Sequence, residues 1–594
     1  MSLKAAAKER LLWAIRQVVV PFGRVVLLVD QRSLRVVSAC CTVSELLDEG
    51  VDLVELITKR RQPMKNRVAV YLLSEDIGSV DYFLDDFEEG SEIYKSAFLV
   101  FNCHLEDDRA LRKIAEEVDT ERVLGCVELH LNFIAYEERI FHGNMGFTLL
   151  NLYPTHIGSI AKSIASRLAS LCSVLGSMPQ IRYHAVASGL PQLVAKATSE
   201  LIMATAGEVT RKPGDVLLVL DRSIDPVPLH IHEYTYQAFV YDVLRIPCCS
   251  DPVEQRKDDI WEFDYVATSG KREKRGVMLS GQTDVLWKRF KHLHIQKVNE
   301  VVSEEIEKFA GEAANGTLHN AKGTHEVLKA VRELPKTRYL VEKYYAHITL
   351  TERSFEQLEA KKLVKVGELE QDLATNVDHH GNKLSHSKAL QQLNTFLEDV
   401  GIDDETKIRL ILLYVSVYRN VTQTHISELL RTAHLSNLDA TVVEKFVELG
   451  IASVFTPSGA AVSPRSAGSN KISHRLHDKC DAHTYYKKHG NGGEYELSRY
   501  QPDIMHVIGR VISGTLEDEK FPSVQTEAAN KQQDPRGGRI MVYIIGGITF
   551  SEMRTVHDMA EKMQADVYLG GDSILVPSDV LENMKHAFSA VEKT

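Results

Sequence analysis

The residue types best suited to chemistry lie close together after an apolar run that ends near residue 221. Asp221, Arg222 and Asp225 follow the strand-like sequence DVLLVL, and His232 and Glu233 come a few residues later. In an α/β protein the carboxyl end of a strand is the usual ligand-binding edge, and such side chains can act as acid or base. One interpretation is therefore an α/β enzyme acting on a small phosphate or acyl substrate at the 221–233 strand edge.

The same residues also suit a structural role. An Asp–Arg–Asp group in a turn can brace the end of a strand against the start of a helix through hydrogen bonds. Glu233 near a helix N-terminus would complement the helix dipole. No nucleophile, base and orienting group accompany these residues as a set. We favour the brace and keep the enzyme as the alternative.

Other catalytic and metal-binding patterns are weak. The sequence has no GxxxxGK[ST] phosphate loop, no GxSxG elbow and no HExxH motif. Four potential metal ligands follow one another at three-residue steps, at His474, His477, Cys480 and His483. On a helix they would spread over roughly half of the circumference, too far apart for one tetrahedral ion. We therefore predict a protein that is not an enzyme, with no catalytic residue, metal or cofactor.

The composition indicates which class of partner and which cellular compartment to expect. The net charge of −12 argues against nucleic acid, because binding to phosphates needs an excess of Lys and Arg. The eight cysteines contain no CxxC motif, which favours buried free thiols in a reducing compartment. Arg16 and Pro21 interrupt the apolar N-terminal segment, which does not resemble a signal peptide, and no run of eighteen apolar residues occurs. We expect a cytoplasmic protein that reaches a membrane only through a partner.

A chain of 594 residues is long enough for three domains. From residue 24 to about 131, short apolar strand-like runs alternate with helical segments, which predicts a parallel sheet covered on both faces. The alternation resumes later, on both sides of a region that is almost wholly helical. We predict an α/β domain 1 at 1–135, an α/β domain 2 in two parts at 136–245 and 481–594, and a mainly helical domain 3 inserted at 246–480.

Three long segments resemble the Sec/Munc (SM) family of SNARE-binding proteins. The sequence VLLVLDRSIDPVPLHIHEYTYQAFVYDVL at 216–244 looks like the most characteristic stretch of that family. The sequence IIGGITFSEMR at 544–554 is similar to its late strand–Gly-Gly–helix segment. Residues 29–63 resemble the first domain of the syntaxin-binding, plasma-membrane branch. The resemblance implies an arch-shaped three-domain protein, α/β plus all-α, with two parallel-sheet α/β domains and a large helical domain inserted in the second.

The resemblance also implies a function in vesicle docking and membrane fusion. SM proteins hold closed syntaxin, a Qa-SNARE, in a central cavity between domains 1 and 3, and they chaperone assembly of the SNARE complex. On domain 1 the positions of the syntaxin-contacting charges are Arg35, Glu55, Lys59 and Arg60. Alternatively, TKRR at 58–61 is a solvated helix end. Thr42 stands where vertebrate syntaxin binders have a lysine, so we expect that salt bridge to be missing.

A second implied contact is an outer pocket of domain 1 for the N-terminal peptide of syntaxin. Its positions here are Leu111, Val123, Cys126 and Glu128. Apolar walls and one carboxylate would suit a peptide with a basic and a large apolar residue. Leu111 and Cys126 are smaller than the residues usual there, so the pocket would be shallower or take a different anchor. Alternatively, these residues only bury strand 123–131 against helix 107–118.

The helical insertion contains a predicted switch. Apolar residues over 338–373 recur at three- and four-residue steps, which predicts a single helix roughly 50 Å long with one apolar stripe. Upstream, Pro335 lies within a helical pattern and pushes Leu334 away from the helical conformation. We predict a helical hairpin near 320–350, with Leu334 and Pro335 setting the balance between bent and extended forms. In the family the extended form templates the vesicle SNARE, of synaptobrevin type, against syntaxin. The expected partners are syntaxin, the vesicle SNARE and the assembled SNARE complex, and we expect peripheral attachment to the plasma membrane through syntaxin.

Overall fold

The structure is a computed structural model that describes most of the chain. The described residues are 2–88, 93–105, 108–143, 145, 157–205, 214–248, 259–266, 272–313, 338–418, 421–448, 496–524 and 537–591. The predicted switch at Leu334 and Pro335 and the cluster at 474–483 lie outside them. The chain divides into two compact units. The first comprises Met1–Asp221, Val507–Ile548 and Val556–Ser573, and the second comprises Arg222–His506, Thr549–Thr555 and Ile574–Thr594.

The first unit begins with a parallel sheet of five strands in the order β2-β1-β3-β4-β5. The strands are β1 (Val25–Val29), β2 (Val51–Leu56), β3 (Met64–Leu73), β4 (Tyr94–Phe101) and β5 (Val123–Glu128). The helices of this part are α1 (Leu3–Phe22), α2 (Gln31–Cys40), α3 (Val43–Asp48), α4 (Ile77–Phe87) and α5 (Arg109–Glu117). Every residue of β1 is buried, as expected for an inner strand of a covered parallel sheet. The strand-like runs predicted between residue 24 and about 131 are found in β1, β3, β4 and β5.

Strand β2 differs from expectation. The segment before Lys59 is a strand at the edge of the sheet, so TKRR does not end a helix. As an edge strand, β2 pairs with β1 alone, and only Val51 of its six residues is fully buried. Its apolar and polar positions are therefore less clearly separated in sequence than those of an inner strand.

A second parallel sheet of five strands also belongs to the first unit, in the order β6-β13-β11-β8-β7. Its strands are β6 (Ile140–His142), β7 (Gln180–Tyr183), β8 (Val216–Asp221), β11 (Arg539–Ile545) and β13 (Asp566–Gly571). The helices near these strands in sequence are α6 (Ile157–Leu175), α7 (Leu190–Thr205), α17 (Ile504–Ile512) and α18 (Phe550–Met563). Strand β11 pairs with β8 although the helical region separates them in sequence. Two parallel sheets, with the second interrupted by a helical region, confirm the predicted fold class, while the individual domain boundaries stay a prediction.

The second unit is mainly helical. Its helices are α8 (Tyr236–Val243), α9 (Val285–Phe290), α10 (Ile295–Ala313), α11 (Arg338–Ala360), α12 (Leu363–Thr375), α13 (His386–Glu398), α14 (Asp404–Val417), α15 (Gln423–Ala433), α16 (Asn437–Glu448) and α19 (Pro577–Val591). An antiparallel hairpin of β9 (Ile260–Val266) and β10 (Arg272–Met278) interrupts them. The sequence signal was present, because IWEFDYV alternates aromatic and polar residues with the period of a strand. Two further strands, β12 (Ile548–Thr549) and β14 (Ile574–Leu575), are only two residues long.

The prediction of one helix over 338–373 is wrong. Lys362 separates α11 from α12 and adopts a left-handed conformation with φ of 53°, which a right-handed helix cannot continue through. Packing fixes this break: the Tyr234 hydroxyl donates to the Leu363 carbonyl at 2.6 Å, and a Cβ on Gly367 would lie 2.2 Å from that hydroxyl. The apolar stripe therefore continues on a second helix, where its buried members are Val366, Leu369 and Leu373.

Neither a membrane-spanning helix nor a metal-binding cluster is found in the part of the chain that the structure describes. No helix there has the length and apolar character to cross a membrane. In those same ranges, no three His, Cys, Asp or Glu side chains are arranged to hold a metal ion.

Candidate partner-binding sites

The predicted syntaxin-contacting charges lie on α2, on β2 and in the turn after β2. Arg35 is half-buried on α2, and Glu55 is half-buried on β2, opposite Leu28 of β1 in the register. Lys59 and Arg60 follow the strand and are exposed, and neither forms an ion pair with the residues that the structure describes. Their positive charges are therefore available to an acidic partner.

The next residue of the same basic run has a different role. Arg61 is buried and pairs with Asp86 at 2.7 Å, with both side chains nearly inaccessible. Asp86 also accepts a hydrogen bond from the Tyr71 hydroxyl at 2.7 Å. Burial raises the pKa of Asp86, while the contacts with Tyr71 and Arg61 act in the opposite direction. TKRR thus supplies two surface cations and one cation buried in the core, a division that the sequence did not indicate.

Thr42, at the position for which the resemblance implies a lysine in vertebrate syntaxin binders, is the N-cap of helix α3. Its side chain accepts from the Glu45 backbone N–H, and the Glu45 carboxylate accepts from the Thr42 N–H at 2.8 Å, which completes a capping box. Lys8 of α1 forms an ion pair with the same Glu45. The residue at this position therefore stabilises a local helix start.

Of the four predicted peptide-pocket residues, Leu111 lies on α5 and the other three on β5. Leu111 is 39% exposed and Cys126 is also exposed. The packing of α5 onto the sheet uses other residues, the buried Ala110 and Ile114. Val123 packs against that core, so the packing of helix against strand explains why this residue is apolar. The same packing does not explain Leu111 and Cys126, which are exposed.

Glu128 is already engaged by its own domain. One carboxylate oxygen accepts the Leu105 backbone N–H at 3.0 Å, and the other lies 2.9 Å from His104 Nδ1. His130 Nε2 is 3.7 Å from that second oxygen. Burial lowers the pKa of His130, and Glu128 acts against that effect. The carboxylate anchors the loop after β4 and is less free to receive a basic peptide residue than the sequence suggested.

The segment at 221–233 is a buried brace. Arg222 donates to Glu552 at 2.9 Å and to the Asp225 carbonyl at 2.7 Å. Asp225 accepts from the Tyr500 hydroxyl and from the Asp503 N–H at 2.9 Å. Arg222 and Asp225 are buried and hydrogen-bonded to protein partners, a geometry that fits support of the fold rather than contact with a substrate.

The following residues continue the same network. His232 contacts Glu370 twice at 2.8 Å, through its backbone N–H and through Nδ1. The His230 carbonyl accepts from Arg409, which also holds Asp242 at 2.9 Å. Burial, with the nearby Arg409 and then Arg222, lowers the pKa of His230 to about 3. His230 therefore stays neutral at physiological pH.

The pairing of Arg222 with Glu552 was not foreseen from sequence. The two residues come from the segments LDRSIDP and FSEMR, which are 330 positions apart. Both segments were recognised separately, but nothing in their spacing shows that they meet. The contact explains chemically why an arginine and a glutamate stand at these two positions.

Known proteins are similar to this chain over nearly its whole length. A family model described as the Sec1 family matches residues 25–583. Protein transport protein sec1 of Dictyostelium discoideum is 29% identical, covering 98% of this chain and 98% of that protein. SNARE-interacting protein KEULE of Arabidopsis thaliana is 24% identical, covering 94% of this chain and 91% of its own length.

Solved structures share the fold. The Unc18–syntaxin 1 complex from Monosiga brevicollis matches with a TM-score of 0.83 and 24% identity, over 98% of this chain and 99% of that chain. The SM protein Vps45 in complex with the Qa SNARE Tlg2 matches with a TM-score of 0.75 and 21% identity, over 99% and 98%. The family match spans nearly all of the sequence and includes all three segments that suggested the resemblance. The chain belongs to the Sec1 family.

Proposed function

We propose that this chain binds a syntaxin-type Qa-SNARE in its closed form, and so regulates vesicle docking and membrane fusion in exocytosis. It is a SNARE-binding regulator and not an enzyme, as Sec1-family proteins are. The observation that carries the proposal is the family match over residues 25–583. The engaged polar groups at 221–233 leave the enzyme alternative without support.

The mode of binding is part of the proposal. A solved relative, Unc18, was crystallised with syntaxin 1, and a plant relative is named for interaction with SNAREs. We assign the first contact to Arg35, Glu55, Lys59 and Arg60, and the second to Leu111, Val123, Cys126 and Glu128. The deciding experiment is calorimetric titration with the cytoplasmic region of a plasma-membrane syntaxin, with and without its N-terminal peptide. Binding that survives peptide removal supports the closed-syntaxin mode, whereas no binding to either form contradicts the proposal.

Reversing two surface charges is expected to slow association. The double variant Lys59→Glu/Arg60→Glu should reduce the association rate with syntaxin about tenfold at low salt, because mixed-sign surfaces steer encounter more than they fix affinity. Stopped-flow mixing at two salt concentrations measures this, and the difference should shrink at high salt. The matched control is Lys196→Glu, an exposed lysine on α7. An association rate equal to that of wild type would remove these residues from the contact.

The outer pocket can be tested separately. Leu111→Arg is expected to weaken binding of the isolated N-terminal peptide about tenfold, because it removes an apolar wall and adds a charge. The control is Leu193→Arg on α7, where the leucine is 44% exposed and thus similar to Leu111. Calorimetry with the peptide alone gives the two dissociation constants. Equal losses in both variants would mean that the peptide binds elsewhere.

We also propose that domain 3 binds a synaptobrevin-type vesicle SNARE and the assembled SNARE complex, and that syntaxin recruits the protein to the plasma membrane. The proposal for domain 3 is based on the sequence position of Leu334 and Pro335 within a helical pattern. Pro335→Ala should lengthen the continuous helix and strengthen binding to the vesicle SNARE, as measured by titration with its cytoplasmic segment. Binding equal to that of wild type would contradict a switch at this proline.

A further inference from the structure

The turn between β2 and β3 carries the two exposed cations of the first proposed contact, Lys59 and Arg60. A backbone hydrogen bond fixes its start, where the Lys59 N–H donates to the Leu56 carbonyl at 3.2 Å. Gln62 is exposed as well, whereas the side chain of Arg61 is only 6% exposed. The middle of the turn is therefore attached to the protein interior through the side chain of Arg61.

In the described part of the chain, one ion pair holds the Arg61 guanidinium. Its Nη2 donates to Asp86 Oδ1 at 2.7 Å, and the Asp86 side chain is 4% exposed. Nε and Nη1 of Arg61 have no hydrogen-bond partner among the same described residues. Away from water a charged hydrogen bond is strong, roughly twice as strong as a neutral one. The position of Arg61, and with it the middle of the turn, therefore depends on Asp86.

Asp86 is itself fixed from a second direction. It lies on α4, and its Oδ2 accepts from the hydroxyl of Tyr71 on β3 at 2.7 Å. The Tyr71 ring packs edge-on against Phe83 and Phe87, with ring centroids 4.9 and 6.1 Å apart. All three aromatic residues belong to one buried core. Since helix and strand both hold the carboxylate, Asp86 cannot follow the turn if the turn moves.

An anchored turn affects the two rates of complex formation differently. Encounter with a charged partner follows the electrostatic potential of the surface, which depends mainly on net charge. Survival of the complex depends on the contacts, and a loop that must first be ordered uses part of the binding free energy for that ordering. Changes within one interface therefore appear mostly in the dissociation rate.

We propose that Arg61 is a positioning residue for the Qa-SNARE contact, an inference that rests on the proposed function. Its pair with Asp86 fixes the turn and presents Lys59 and Arg60 to acidic side chains of the partner in one geometry. Arg61 stays buried and acts through its two neighbours. Loosening the turn shortens the lifetime of the complex, while the rate of encounter still follows the charge of the surface.

Asp86→Asn is the deciding variant. It keeps an acceptor for the Tyr71 hydroxyl and removes the charge that holds Arg61. Because it adds one net positive charge, electrostatic attraction alone would speed association with an acidic partner and slow dissociation. Positioning by Arg61 predicts the opposite for the lifetime, with dissociation about tenfold faster and association within about twofold of wild type. Stopped-flow association and displacement with the cytoplasmic region of a plasma-membrane syntaxin measure both rates.

Two matched variants separate positioning from loss of stability. Phe83→Leu weakens the same core without contacting the turn, and it should dissociate as wild type does although its unfolding midpoint in urea falls. Arg61→Lys keeps the charge and the reach to Asp86, and it should stay within about threefold of the wild-type dissociation rate. Arg61→Met removes the anchor and should dissociate about tenfold faster. If Arg61→Met fails to fold, Asp86→Asn still decides the question.

Hydrogen exchange in the free protein reports the order of the turn without a partner. Peptides that cover residues 57–63 should exchange faster in Asp86→Asn than in wild type or Phe83→Leu. Wild-type binding with an unchanged dissociation rate in Asp86→Asn overturns this inference alone, as does equal acceleration in Phe83→Leu. Unchanged exchange of the turn in Asp86→Asn also overturns it. Absence of syntaxin binding by wild type overturns the proposed function, and this inference with it.

Discussion

Arg222→Ala is expected to lower the free energy of unfolding by about 3–5 kcal/mol, because it leaves a buried carboxylate without its counter-charge. The side chains of Arg222 and Glu552 are 0% and 1% exposed. Glu552 also accepts the Thr549 N–H at 2.9 Å, so it cannot turn toward solvent without losing that bond. Urea denaturation followed by intrinsic fluorescence measures the change.

Two further variants test whether the loss of stability comes from the broken ion pair or from a general disruption of the fold. Arg112→Ala removes an arginine from the pair with Asp108, in which the two side chains are 75% and 71% exposed, and it should cost less than about 1 kcal/mol. The double variant Arg222→Met/Glu552→Leu should recover part of the loss, since no buried charge is left unpaired. A loss for Arg222→Ala as small as that for Arg112→Ala would show that the brace is not a major source of stability.

Acid is expected to destabilise the protein through His230. The pKa of this buried histidine is about 3, whereas an unfolded histidine has a pKa of about 6.5. Below pH 6.5 the unfolded chain binds a proton that the folded chain does not, so the free energy of unfolding falls as the pH falls. Above that pH both forms are neutral and the effect disappears. Between pH 7 and pH 5 this single group accounts for a loss of about 2 kcal/mol.

His230→Phe removes the titration and keeps the shape of the ring. The imidazole packs edge-on against Phe446, with ring centroids 4.9 Å apart, and a phenyl ring can make the same contact. The decline in unfolding free energy from pH 7 to pH 5 should be about 2 kcal/mol smaller in this variant. The control is His586→Gln, because His586 is 79% exposed. Parallel declines for wild type and His230→Phe would rule out His230 as the source of acid sensitivity.

The elements that could be predicted from sequence are those with a strong local signal. The inner strands β1, β3, β4, β8 and β11 read as apolar runs because both faces of a parallel sheet are covered. The family could be recognised from 216–244 and 544–554, because these segments carry a specific order of residues. The edge strand β2 is not evident from the sequence, since a half-exposed strand gives a weaker pattern than a buried one. The hairpin β9–β10 carries an alternating pattern in IWEFDYV, but it lies within a region whose other segments have helical spacing.

The sequence by itself therefore determined the fold class, the interrupted second sheet and membership of the Sec1 family. Tertiary structure decided what individual charges do. Arg60 and Arg61 are neighbours in sequence, yet one is exposed and the other is buried against Asp86, which lies 25 positions away. Likewise, only folding brings Arg222 to Glu552 and Tyr234 to the start of α12. Local patterns record which face of an element is buried, but the partner of a buried polar group comes from a distant part of the chain and leaves no periodic signal.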